Sequence, residues 1–303
     1  RARAVLAAVV RPRGTAEQVQ LLEAFVERVL EPVEAAGNLP AGAVRLLVEA
    51  DLSCLELHVV TTAPRATELA GFLCDIGVPA DKFAAEVKHL NDMVTELQAA
   101  DTTLWCRLNM RSGGGTHAEL KGGIHADVGF SVRGHLDWAV VELLMPPNQD
   151  ADMLLTLGEE GYPPPCVYGC SLLPVAGRRP IFLEFELPAA QDCLRLLLPG
   201  LSFFRALGFA KPEDNVIHKL NACKPKKCKF RVALGSEGLT RAALRLYSGL
   251  KAPTKDLTKL VNVEYCLDDV PGLQEAFGDR HVHVDYSADA WGYSVALGYA
   301  LPR

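Results

Sequence analysis

Along much of this chain apolar and polar residues alternate one for one, and many of the polar positions carry cations. The stretch His125-Ala126-Asp127-Val128-Gly129-Phe130-Ser131-Val132-Arg133 shows it best. Ala126, Val128, Phe130 and Val132 form one set; His125, Asp127, Gly129, Ser131 and Arg133 form the other. A strand sends successive side chains to opposite faces, so this segment predicts a strand with one apolar face and one polar, partly basic face. The same design recurs over 105–111, 229–235 and 281–286. A sheet that gathers basic side chains from several strands onto one face can hold a multiply charged anion there.

The remaining pattern orders these strands into pairs separated by helices. Thr15 is placed to cap a first helix, with Gln18 three residues on as a capping box. Leu21, Leu22, Phe25, Val26, Val29, Leu30 and Val33 follow at helical spacing, Pro32 kinks the end and Gly37 closes it. A strand pair over 44–49 and 54–60 comes next, then helices over 67–77 and 80–100. A second pair over 103–111 and 124–133 flanks a glycine-rich stretch, and helices follow over 136–144 and 152–160. A third pair spans 167–174 and 180–187, with a helix over 190–207. The fourth pair is read at 215–220 and 227–235, followed by helices over 239–250 and 272–277. The fifth pair covers 281–286 and 290–301.

Two strands and two helices thus recur about five times, with a period of roughly 50–65 residues, longer than common solenoid repeats. Short links between paired strands imply antiparallel hairpins. The amphipathic helices cover the apolar face of the sheet. Ten such strands leave two exposed edges unless the sheet closes, and closure puts the polar face inside. The expected fold class is therefore α+β: a closed antiparallel ten-stranded β-barrel ringed by α-helices, one domain over 1–303. Two small open sheets in an ordinary α+β arrangement are the alternative.

Composition narrows the function. With 303 residues and 49% hydrophobic content the chain can bury a large core. A net charge of −6 and the lack of any long basic run argue against nucleic acid or an acidic membrane as partner. No apolar run reaches membrane-spanning length. The basic, Ala/Val-rich start lacks a signal-peptide core, and the absence of an initiator Met predicts a trimmed N-terminus. Nine cysteines, an odd number set mostly in apolar patterns, predict reduced thiols in a cytoplasmic setting. Cys166-x3-Cys170 and Cys223-x4-Cys228 lack the two-residue spacing of common zinc knuckles.

The layout resembles the ABBA prenyltransferase fold, and within it the cyanobactin peptide prenyltransferases. The segment Ser53-Cys54-Leu55-Glu56-Leu57 resembles the first-hairpin strand that carries the family's acidic residue. The segment Thr103-Leu104-Trp105-Cys106-Arg107-Leu108-Asn109-Met110-Arg111 resembles a strand offering cations to diphosphate. The segment Trp291-Gly292-Tyr293-Ser294-Val295-Ala296-Leu297-Gly298-Tyr299 resembles the Tyr-bearing closing strand. The resemblance implies transfer of a short prenyl group, dimethylallyl above all, from its diphosphate to an aromatic or peptide nucleophile, with Mg²⁺ as a diphosphate partner.

Such a reaction must neutralise a leaving diphosphate, shelter an allylic carbocation from water and remove a proton from the acceptor. Arg107, Arg111, Lys219, Lys229 and Arg231 are the expected diphosphate ligands, joined by His125 and Arg133. Arg contacts phosphate oxygens in pairs and Lys as a point charge. Trp105, Tyr293 and Tyr299 are the expected carbocation shields. Glu56 is the expected acid/base group. Glu49, Glu184 and Glu186 compete for that role, and a lumen ion pair with a cation is the other reading of any of them. Gly113-Gly114-Gly115 lacks the ending of a P-loop and reads as a flexible loop at a barrel mouth.

Two rival functions remain open. His281, His283 and Asp285 share one face of a strand and would suit a metal-dependent hydrolase, completed by His117, His125 or His135. A non-catalytic barrel that holds a small anion is the other.

Overall fold

The computed structural model describes residues 15–30, 44–49, 54–60, 66–96, 102–111, 123–145, 149–159, 162–173, 180–186, 225–235, 238–248, 281–289 and 292–300. Ten strands carry the architecture. They are β1 (Val44–Glu49), β2 (Cys54–Val60), β3 (Thr103–Arg111), β4 (Ile124–Ser131), β5 (Val167–Ser171), β6 (Ile181–Glu186), β7 (Pro225–Gly235), β8 (Gly238–Ser248), β9 (His281–Asp289) and β10 (Gly292–Ala300). Each is antiparallel to its neighbours. Each strand pairs with the next in sequence from β1 to β10, and β10 returns to pair with β1, so the strand order closes on itself.

Helices stand beside this sheet. They are α1 (Ala16–Phe25), α2 (Ala66–Asp75), α3 (Ala80–Glu96), α4 (Trp138–Leu144) and α5 (Gln149–Glu159). α1 starts on the expected capping box. The Gln18 backbone N–H donates to Thr15 Oγ1 at 3.2 Å, and the Thr15 N–H donates to Gln18 Oε1 at 3.0 Å. Two of the helix's orphan donors are thereby satisfied. The helix then widens into a π-turn over Val26–Leu30. At α4 the Asp137 side chain accepts from the Ala139 N–H at 2.8 Å and supplies the N-cap.

Alternation sorts the strand residues between two interiors. Leu108, Val128, Phe130, Leu183, Phe230, Val232 and Leu244 join Phe25, Phe72 and Leu90 of the helices in one apolar core. Each such side chain contributes on the order of 1.5–3 kcal/mol through burial. Phe25 meets Phe72 edge-on with centroids 4.9 Å apart. On the opposite face Trp105, Cys166, Val167 and Phe182 form a separate, smaller cluster inside the sheet. Gly129 of β4 and Gly169 of β5 make room for it. A Cβ at Gly129 would strike the Trp105 ring and the Tyr168 carbonyl, and one at Gly169 would strike the Phe182 and Trp105 rings.

Among the described residues, one element differs in kind from the sequence reading. The segment expected as a helix over 239–250 is strand β8, the hairpin partner of β7. Leu239, Ala242, Ala243 and Leu246 fit a helical period, and the local residues are mostly good helix formers. Yet Ala242, Leu244 and Leu246 also alternate with Arg241, Ala243, Arg245 and Tyr247, and burial of the first set in the core decides for the strand. Gly235 pairs with Gly238 at the turn, and Gly238 takes a positive φ of 121° that favours glycine there. The fourth pair is therefore β7 with β8 rather than 215–220 with 227–235. The expected strand over 215–220, the helices over 190–207 and 272–277, and the glycine-rich stretch at 112–122 lie outside the described residues.

Candidate functional site

Cross-strand register brings the inner-face polar residues of β6 to β9 into two adjacent rows. In one, Glu184 lies opposite Arg231, Arg231 opposite Ala243, and Ala243 opposite Ser287. In the other, Glu186 lies opposite Lys229, Lys229 opposite Arg245, and Arg245 opposite Asp285. Directly opposed residues share a face, so these rows stack charges of both signs in one place.

The contacts are close and dry. Glu184 receives Lys229 Nζ on Oε1 at 2.7 Å; on Oε2 it faces Arg245 Nη1 at 3.3 Å and Arg231 Nη2 at 3.6 Å. Arg245 also grips Asp285 with two bonds, Nε to Oδ1 at 2.8 Å and Nη2 to Oδ2 at 2.7 Å. The Arg245, Glu184 and Asp285 side chains are only 5–6% exposed. Beside them the His283 ring stands 5.5 Å from the Tyr247 ring, and its Nε2 lies 3.7 Å from Asp285 Oδ1. Arg241 Nη2 donates to Ser287 Oγ at 2.6 Å one row away.

Burial raises the pKa of a carboxylate, but here the cations win. Glu184 is held well below the usual range by Lys229, Arg245 and Arg231 against its desolvation. Asp285 is lowered by Arg245 and then His283, again against burial. Lys229 and Arg245 are pushed up: burial works against each, and Glu184 for Lys229 and Asp285 for Arg245 overcome it. All four groups are therefore charged at neutral pH. Three cations (Lys229, Arg231, Arg245) thus meet the carboxylates Glu184 and Asp285 in one buried cluster, with Glu186 opposite Lys229 at its more exposed edge. Cys166 Sγ lies 3.7 Å from Lys229 Nζ, yet burial pushes its thiol up to about 11, so it stays protonated.

A second charged group lies on β3 and β4. Arg107 contacts Asp127 Oδ2 through Nε at 2.8 Å and Nη2 at 2.5 Å, both side chains 11% exposed. The Phe182 ring links the two groups. Arg107 Cζ sits 4.0 Å from its centroid and Arg231 Cζ 5.6 Å, while Trp105 packs 5.1 Å away. Guanidinium over an aromatic face is a favourable cation–π arrangement.

Of the residues expected from the sequence, Lys229 and Arg231 stand in the larger cluster, Arg107 and Trp105 in the neighbouring one. His125 is buried on β4 opposite Asn109, and Asn109 is opposite Glu56 on β2. Arg111 closes β3 opposite Cys54. On β10, Tyr293 is opposite Ala288, and Tyr299 is opposite His281 and Leu46. Arg133 is exposed, two residues beyond the end of β4. Lys219 lies outside the described residues. Sequence reading missed Arg245, Arg241, Tyr247 and Phe182. Three of these sit on β8, where the period-2 alternation was the available signal.

Among the described residues, the carboxylates of these two groups do not fit Mg²⁺. Glu184, Asp285 and Asp127 are each engaged by a cationic side chain, whereas Mg²⁺ is held by carboxylates free to meet it along with substrate phosphate. Asp285 likewise gives both its oxygens to Arg245, which disfavours the His281/His283/Asp285 metal reading. Among the described residues no group of three His, Cys, Asp or Glu is placed to hold a metal ion. No described helix is long and apolar enough to cross a membrane.

No protein-family model and no curated protein sequence matches the chain. Solved structures do. AnaPT from Neosartorya fischeri is 12% identical, with a TM-score of 0.64 over 98% of this chain and 90% of that one. A 6-dimethylallyltryptophan synthase from Micromonospora olivasterospora, in complex with DMASPP and Trp, is 14% identical, with a TM-score of 0.61 over 98% and 95%. A second 6-dimethylallyl tryptophan synthase is 14% identical, with a TM-score of 0.61 over 99% and 98%. At such identities the likeness is one of fold.

Proposed function

We propose that this chain, which has the fold of the ABBA aromatic prenyltransferases, is a transferase that moves a dimethylallyl group from its diphosphate to an aromatic nucleophile. The observation that carries this reading is the convergence of three cations, Lys229, Arg231 and Arg245, buried on the inner face beside the Phe182 and Trp105 rings. The complex of a fold relative with DMASPP and Trp supports both halves of the reaction and favours a free indole over a peptide.

In this scheme the allylic C–O bond breaks and its electron pair leaves with the diphosphate. Lys229, Arg231 and Arg245 stabilise that departing charge, and their ion pairs hold them in place before substrate arrives. The allylic cation faces the aromatic wall to which Trp105 belongs, screened from water. A ring carbon of the acceptor donates its π electrons to form the new C–C bond, and the acceptor then gives up a proton. Glu56, in register with Asn109 on β3, is the proposed proton acceptor. Arg111, Lys219 and His125 are proposed to extend the diphosphate site, and Tyr293 and Tyr299 to complete the shield. The chain acts as one barrel domain in a cytoplasmic setting. Positive charge at the diphosphate comes from side chains, so turnover is expected to persist in EDTA.

The test is incubation with dimethylallyl diphosphate and tryptophan, tyrosine or short peptides containing them. Mass spectrometry should show an acceptor carrying one added dimethylallyl unit. Absence of any product across that panel, with a folded protein, contradicts the reading.

A further inference from the structure

An ionised carboxylate at the centre of an anion site works against the ligand that the site is meant to hold. Glu184 is that carboxylate. Its two oxygens are shared among Lys229, Arg231 and Arg245, the same three groups that stand nearest to a bound diphosphate in the reading above. Its side chain is 5% exposed and projects from the middle of β6, a strand paired on both sides, so it cannot swing out into water when an anion enters.

The contacts around Glu184 are unequal. Lys229 is bound tightly at 2.7 Å, whereas Arg245 and Arg231 stand off at 3.3 and 3.6 Å. Arg245 is anchored elsewhere, by its two short bonds to Asp285. Arg231 also lies over the Phe182 ring. The guanidiniums are thus kept in position by groups other than Glu184, and the carboxylate's main effect on them is its charge. A diphosphate entering this place gains three cations and meets two fixed negative charges, Asp285 bound to Arg245 alone and Glu184 shared by all three cations. Without the Glu184 charge, three buried cations would retain the released pyrophosphate strongly, and product release limits turnover in many enzymes.

We propose that Glu184 is a built-in counter-anion that weakens the site's hold on diphosphate and so speeds the departure of inorganic pyrophosphate. This rests on the reading of Lys229, Arg231 and Arg245 as the diphosphate site. It assigns Glu184 neither proton transfer nor a purely structural part.

Calorimetric titration with inorganic pyrophosphate tests it on the parent, Glu184→Gln and Glu184→Met. Gln keeps the size and one acceptor oxygen; Met fills the space without charge. Thermal melting establishes which variants fold. The expected result is pyrophosphate bound about tenfold or more tightly by the folded neutral variants, the scale of one unit charge removed at close range in a protein interior. In the prenyl-transfer assay, kcat should fall while KM for the allylic diphosphate also falls, and added pyrophosphate should inhibit more strongly. Equal or weaker pyrophosphate binding by a folded neutral variant overturns the proposal, as does failure of both variants to fold, which would make the carboxylate a structural requirement. A parent that binds no pyrophosphate at all instead overturns the diphosphate site itself.

Discussion

The two charged groups inside the sheet use the same residue types to different ends. On β3 and β4, Arg107 holds Asp127 with two contacts, both made to a single carboxylate oxygen. On β6 to β9, Lys229, Arg231 and Arg245 share Glu184 and Asp285. The first group sets one cation on one carboxylate; the second gathers three cations around a shared carboxylate. Burying a charge is costly unless it is paired, so three cations buried together mark a place where the fold accepts instability. That concentration of positive charge is what a diphosphate would meet. The lesson is that counting cations on a face is not enough, because what matters is how they are shared among the carboxylates on the same face.

The largest expected effect comes from removing the centre of the second group. Arg245→Met leaves Asp285 buried without its guanidinium and should cost about 3–5 kcal/mol of stability, read by chemical denaturation. Its pH dependence has a definite sign. In the parent the lowered Asp285 stabilises the fold above its unfolded value of about 3.9, and that contribution is lost as pH falls through the lower folded value. In Arg245→Met the same carboxylate loses its main partner, its pKa rises, and the penalty applies only where it is ionised. The deficit should therefore be widest near neutral pH and narrow as pH falls through about 4. A deficit independent of pH would remove Asp285 from the explanation.

Next in size is Lys229→Ala, expected to weaken binding of an allylic diphosphate about 10- to 100-fold, the scale of losing a charge-assisted hydrogen bond. Arg107→Ala is its mirror experiment. It strips a partner from Asp127, so stability should drop by about 1–3 kcal/mol, while diphosphate binding should change less than in Lys229→Ala. Equal losses of binding in the two variants would erase the distinction between the groups.

Phe182 sits between them. Phe182→Leu removes the ring against which both Arg107 and Arg231 lie, and the KM for diphosphate should rise by about three- to tenfold with a smaller change in kcat. The smallest effect is expected at the rim. Lys227 and Glu186 pair at 2.6 Å, but with side chains 45% and 38% exposed; Glu186→Gln should shift stability by under about 1 kcal/mol.

How much of this was legible beforehand follows from how period and propensity agree. In Ile124–Ser131 the alternation is strict and the apolar positions are Ile, Ala, Val and Phe, so strand and face emerge together. In β8 the residues favour a helix and both periods fit, so only the packed core decides, and Arg245 was lost with the strand. Lys229 and Arg231 could be placed on one face from sequence. Their carboxylate partner Glu184 could not be paired with them, because β6 and β7 lie 38 residues apart between Glu186 and Pro225 and no local signal sets their register. The aromatic plate was hidden for a similar reason: Trp105 on β3 and Phe182 on β6 meet only over Gly129 and Gly169 of the strands between.

The most direct measurement is calorimetric titration of a non-hydrolysable dimethylallyl diphosphate analogue into the parent, Lys229→Ala and Arg107→Ala proteins in EDTA. Binding by the parent, a large loss in Lys229→Ala and a small one in Arg107→Ala are expected if the cations gathered on β7 and β8 hold the diphosphate. No binding by the folded parent, or a loss confined to Arg107→Ala, would contradict it.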